Sequence, residues 1–126
     1  GYFYPINGKV IKGNAIGRTI NFPTANILLD YKWKLIPANG VYAVKVRLGE
    51  KQLYGMLNAG GRPTLLDDEH RLEVHIFDFS KDIYGADINV EFIKRIRKEK
   101  QFDNLELLRK QLQVDENICK KLFRIH

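Results

Sequence analysis

Ahead of Asn104 the chain carries no apolar pattern at helical spacing, and nothing constrains its fold more. Its apolar runs are short, and the clearest ones alternate at period two. Val44-Lys45-Val46-Arg47-Leu48 is one such run. Leu72-Glu73-Val74-His75-Ile76-Phe77 is another, with Leu72, Val74 and Ile76 on one face and Glu73, His75 and Phe77 on the other. Parallel strands need a crossover of about a dozen residues or more, usually a helix. A parallel βαβ sheet is therefore excluded. At Asn104 the period changes: Leu105, Leu108, Leu112, Ile118 and Leu122 recur at helical spacing, with Asp103 or Asn104 as N-cap. The expected fold is mostly β, a small antiparallel barrel with a C-terminal α-helix packed against it.

The remaining strands fit this scheme. Residues 6–13 form a short strand centred on Val10 and Ile11, and residues 40–48 form another. Gly49-Glu50 is a tight turn, and residues 52–57 return as the second arm of a hairpin. Residues 58–64 are rich in breakers and read as an exposed loop, whereas residues 88–96 form a strand after a turn at Tyr84-Gly85. Tyr42, Phe77, Phe79 and Phe92 sit within apolar alternation and are assigned to the core.

At 126 residues, with 44% hydrophobic and 29% charged, the chain is one globular domain, residues 1–126. A formal charge of +6 points to an anionic partner: nucleic acid, membrane surface or a phosphorylated small molecule. The single cysteine, Cys119, excludes an internal disulfide framework and suits a reducing compartment, here the cytoplasm. It falls in the helical pattern and is assigned to packing. No run approaches the ~18 apolar residues of a membrane-spanning helix. The start at Gly1-Tyr2-Phe3-Tyr4, without Met, suggests a piece of a longer protein.

Four features bear on chemistry. Phe22-Pro23-Thr24-Ala25-Asn26 is either an ordinary turn or, if extended, a site where the Thr24 hydroxyl and Asn26 carboxamide converge on a hard cation such as Mg²⁺. Before it, Gly13, Gly17 and Arg18 lie in a loop that can hold phosphate oxygens or simply close a hairpin; it is neither a Walker sequence nor GxGxxG. Glu73 is a general-base candidate or a solvated carboxylate. The basic run at residues 94–100 is an anion-binding segment or a solvated strand end. His75 has no second His or Cys at ligand spacing, so a zinc-type site is excluded, and Ser80 lacks a nucleophile-elbow context.

In order along the chain, Gly8-Lys9-Val10-Ile11-Lys12-Gly13, Gly17-Arg18, Phe22-Pro23-Thr24-Ala25-Asn26-Ile27, Gly40-Val41-Tyr42-Ala43, Gly55-Met56 with Asn58-Ala59-Gly60-Gly61-Arg62-Pro63-Thr64, Glu73-Val74-His75-Ile76-Phe77-Asp78-Phe79 with Asp82-Ile83-Tyr84-Gly85, and Ile96-Arg97-Lys98-Glu99 with Phe102 resemble the motifs of the riboflavin kinase (flavokinase) family. The resemblance implies a six-stranded antiparallel Greek-key barrel. It also implies transfer of the ATP γ-phosphoryl group to the ribityl 5′-hydroxyl of riboflavin, giving FMN and ADP. Thr24 and Asn26 then hold Mg²⁺ and the nucleotide phosphates, and Gly13, Gly17 and Arg18 lie in the phosphate loop. Glu73 falls on the catalytic base, and Arg97 and Phe102 on the flavin side. The chain departs from the family at Asn21, where Gly is frequent, and at Asn14-Ala15-Ile16, where further glycines are usual.

The same resemblance implies a covalently linked N-terminal FMN adenylyltransferase domain in the full-length protein, with no nucleic-acid or membrane partner. The competing readings are a non-catalytic flavin- or nucleotide-binding barrel and a nucleic-acid-binding barrel.

Overall fold

The computed structural model describes residues 5–11, 24–29, 38–60, 71–79 and 83–124. Strands β1 (Ile6–Ile11), β2 (Ala25–Leu29), β3 (Gly40–Leu48), β4 (Lys51–Gly60), β5 (Arg71–Ile76) and β6 (Asp87–Lys98) precede helix α1 (Leu105–Phe123). All strand pairs are antiparallel and close into a barrel in the order β1-β2-β5-β4-β3-β6. Three successive strands, β3 to β5, lie side by side, and β6 returns beside β3, which is the Greek-key arrangement.

The turn between β3 and β4 falls at Gly49-Glu50, as expected. Gly49 has φ 60°, and no atom would crowd a Cβ there, so the backbone angle alone calls for glycine. β4 does not stop at Leu57. It runs on through Asn58 and Ala59 to Gly60, because pairing continues on both sides: Ala59 opposite Gly40 of β3, and Gly60 opposite Arg71 of β5. Ala59 and Gly60 are buried, which corrects the expectation of an exposed loop from Asn58. Two flanking ladders outweigh the breaker composition of this segment.

Alternate residues fill the barrel: Val10, Ile27, Tyr42, Val44, Val46, Leu57, Val74, Val90 and Phe92 belong to one buried cluster. Tyr42 and Phe92 meet edge to face, with centroids 5.2 Å apart. The Tyr42 hydroxyl donates to the Ala38 carbonyl at 2.6 Å; burial pushes its pKa up, with the Arg95 charge pulling the other way. Outside the barrel, Val41, Ala43, Met56 and Phe77 form a second cluster with Cys119 of α1. β3 is thus buried on both faces at its start, which explains why its alternation begins only at Val44.

Asn104 caps α1: its backbone is extended, and its Oδ1 accepts the Leu107 N–H at 2.9 Å. Glu106 in the first turn and Lys120 and Lys121 in the last complement the helix dipole. The inward stripe is Leu108, Leu112, Asp115, Cys119 and Phe123. Ile118 and Leu122, expected inside, are 44% and 40% exposed, and Leu105 is also exposed. Leu108 and Leu112 face inward as their spacing predicts, and beyond them the buried positions are Asp115, Cys119 and Phe123, Cys119 and Phe123 each one residue past the expected Ile118 and Leu122. Cys119 is buried, and desolvation, followed by Asp115 and Glu116, pushes its thiol up to about 12. It stays protonated and serves as packing, as the sequence indicated.

Candidate active site

In an antiparallel sheet, residues directly opposite one another share a face. The registers run Ile11 to Asn26, Asn26 to Glu73, Glu73 to Asn58, Asn58 to Val41, and Val41 to Arg97. These pairs join into one continuous row across all six strands, on the outer surface of the barrel. Its direction is set by the inner alternation: Val10, Ile27, Leu72, Val74, Leu57 and Ala59 point into the core, so their neighbours point out. The row places the Glu73 carboxylate between two carboxamides, Asn26 on β2 and Asn58 on β4. Neighbouring strands lie roughly 5 Å apart, so Asn26 and Asn58 are separated by about 10 Å, with Glu73 midway.

Asn26 and Glu73, two of the predicted site residues, are therefore brought together from positions 47 apart in the chain. Thr24 stands one residue before β2 with the parity of Asn26, and both are half-buried. The Asn26 Nδ2 is buried and finds no acceptor among the described residues. An unmet buried donor costs about 1–3 kcal/mol. Gly13, Gly17 and Arg18 lie outside the described residues, as do Asn21, Phe22 and Pro23. His75 is half-buried against Phe77, with rings 5.7 Å apart. Among the described residues no cluster of His, Cys, Asp and Glu could hold a metal ion.

The other end of the row is built differently. The β3–β6 register slips between Val41 and Tyr42, where Arg97 opposes the first and Arg95 the second. Ile96 is the extra residue of this bulge. Two consecutive side chains consequently face α1: Ile96 packs into the outer cluster and Arg97 reaches the helix. Arg97 Nε donates to both carboxylate oxygens of Asp115 at 3.0 Å, and Nη2 lies 2.9 Å from Oδ2. Its Nη1 donates to the Lys98 carbonyl at 3.1 Å. Asp115 is fully buried and also accepts from Gln111 Nε2 at 2.9 Å. The Arg97 guanidinium lies 5.7 Å from the Phe102 ring centre, linking the two predicted flavin-side residues.

A cavity of about 350 Å³ opens beside Phe102, between the segment after β6 and α1. Phe102, Leu107 and Val114 supply apolar wall, and Lys100, Lys110 and Gln111 supply polar atoms. Its size lies at the lower end of small-molecule sites. Asn58, Gln111 and Asp115 were not singled out as site residues from the sequence. Asn58 was visible only as part of a loop motif, and Asp115 lacked any local sign of its partner 18 residues earlier.

A model of the riboflavin kinase family matches residues 1–123. The chain is 47% identical over 121 residues to a bifunctional riboflavin kinase/FMN adenylyltransferase of Haemophilus influenzae, covering 95% of this chain and 39% of that protein. The enzymes of the same name are 44% identical in Escherichia coli K12 (98% of this chain, 39% of that protein) and 39% identical in Bacillus subtilis (95% and 39%). The chain thus spans well under half the length of the curated relatives it matches. A Streptococcus pneumoniae crystal structure described as a macrolide-efflux protein superposes with a TM-score of 0.86 at 41% identity, over 92% of this chain and 38% of that one. Among the described residues here, no helix is long and apolar enough to cross a membrane.

Proposed function

The chain belongs to the riboflavin kinase (flavokinase) family, and from that premise we propose that it transfers the ATP γ-phosphoryl group to the ribityl 5′-hydroxyl of riboflavin, releasing FMN and ADP. The observation that carries this reading is the cross-strand row in which Glu73 lies between Asn26 and Asn58. A carboxylate there can accept the proton of an alcohol as its oxygen bonds to the γ-phosphorus and the bond to the β–γ bridging oxygen breaks. Such transfer depends mostly on positioning and on neutralising charge.

The residues fit a divalent cation. Thr24 and Asn26 offer a hydroxyl and a carboxamide oxygen, both hard neutral donors, with a carboxylate next in register. A bound Mg²⁺ would offset negative charge on the transferring phosphates. The orphaned Asn26 Nδ2 fits a nucleotide phosphate oxygen as its missing acceptor. Gly13, Gly17 and Arg18 are proposed to complete the phosphate loop. Arg97 and Phe102 are proposed to form the flavin side, with the Arg97 backbone at most about 15 Å from that of Glu73, three strand spacings along the row. Arg97 would act there with its guanidinium already fixed by Asp115.

We further propose that the domain works in the cytoplasm, joined in the full-length protein to an FMN adenylyltransferase domain. The share of each bifunctional relative that it matches, 39%, supports that reading.

Incubation with riboflavin, ATP and Mg²⁺, with products separated by chromatography, is expected to yield FMN and ADP in equal amounts. ATP loss without FMN, or no turnover, would remove the kinase reading. Asn26→Ala is expected to raise the Mg²⁺ or ATP concentration needed for half-maximal rate about tenfold or more. Unchanged metal and nucleotide dependence would exclude Asn26 from the metal and phosphate site.

A further inference from the structure

Gln111 belongs both to the cavity wall and to the ion-pair cluster behind it. Asp115 is buried and bound to the Arg97 guanidinium, so its ionised oxygens can only accept hydrogen bonds. Whatever meets Asp115 from Gln111 must therefore be the NH₂ group, and Nε2 does so at 2.9 Å. The two ends of a carboxamide are otherwise nearly interchangeable. Here the buried carboxylate fixes which end is which and leaves Oε1 as the carboxamide atom available to a ligand.

We infer that Gln111 is a specificity-determining residue of the cavity, whose fixed carboxamide oxygen accepts a hydrogen bond from the imide N–H of a flavin ring. This rests on the riboflavin reading above and deepens it. The isoalloxazine carries one imide N–H between two carbonyl oxygens and an otherwise apolar planar body. The cavity offers matching groups: Gln111 Oε1 for the N–H, the Lys100 and Lys110 ammonium groups for carbonyl oxygens, and Phe102, Leu107 and Val114 for the ring body. A site built to meet a donor disfavours the analogue that lacks it. Asp115 is a positioning residue in this scheme, acting through Gln111 and Arg97.

The test compares riboflavin with N3-methylriboflavin, in which the imide hydrogen is replaced. Flavin fluorescence titration gives Kd, and steady-state turnover gives kcat/KM. Wild type is expected to favour riboflavin about tenfold, the range of one hydrogen bond. Gln111→Leu, which keeps the bulk and removes the acceptor, should weaken riboflavin binding by that factor and leave N3-methylriboflavin unchanged. Gln111→Glu keeps oxygen acceptors but cannot donate to Asp115, so its oxygens are no longer held toward the ligand and the preference should be lost here as well. Equal affinity of wild type for both flavins, or an undiminished preference in Gln111→Leu, would overturn the inference. Tight riboflavin binding with the expected preference but no FMN formed would instead overturn the kinase reading and leave Gln111 in place.

Discussion

Glu73→Gln is expected to lower kcat by about 10²–10⁴-fold, the range associated with a positioned general base, while the protein stays folded. The large effect follows from geometry: Glu73 is the carboxylate of the outer row, set directly between Asn26 and Asn58. Glutamine preserves shape and hydrogen-bonding capacity but cannot take a proton from the attacking hydroxyl. The small effect on stability follows from surroundings. Glu73 is half-buried, and among the described residues it takes part in no ion pair, so its loss should cost within about 0.5 kcal/mol. A melting curve close to wild type beside a collapsed rate is the expected pair of results. Full turnover in Glu73→Gln, or in Glu73→Ala, would remove this carboxylate from the reaction.

Strands and the caps between them were legible from local pattern. Leu72, Val74 and Ile76 face the core as their alternation says, the Gly49-Glu50 turn joins β3 to β4, and Asn104 caps α1. Local pattern failed where the deciding partner is far away in sequence. Asn58 looked like the start of a loop because its neighbours are breakers, yet ladders from β3 and β5 hold it in a strand beside Glu73. On α1, Leu108 and Leu112 face inward as their spacing says, but Asp115 is missed for a related reason. A carboxylate at position 115 does not register as core in any hydrophobic period, and it can be buried only because a bulge in β6 turns Arg97 toward it. Thr24, Asn26 and Glu73 were recognisable as chemistry-bearing residues one by one. That Asn26 and Glu73 adjoin is a property of barrel closure, which no single strand encodes.

Asp115→Ala is expected to destabilise the domain by about 3–5 kcal/mol, the cost of removing one partner of a buried ion pair. Asp115 is fully buried and receives Arg97 and Gln111 together, so truncation strips a half-buried guanidinium and a half-buried carboxamide of the acceptor they share. Against a typical total of about 5–15 kcal/mol, that loss is large and should show as a much lower urea midpoint. The damage should be local in origin, because α1 touches the barrel mainly through β4 and the end of β6. Replacing both partners, Arg97→Met with Asp115→Leu, should recover much of the lost stability, since an apolar pair of similar volume leaves no buried charge unmatched. The double variant should nevertheless bind riboflavin poorly: it lacks the group that orients Gln111 and the cation beside Phe102. Stability regained without flavin affinity would assign the cluster to the site as well as to the fold. A single variant that loses less than about 1 kcal/mol would mean that α1 is held by its apolar stripe alone.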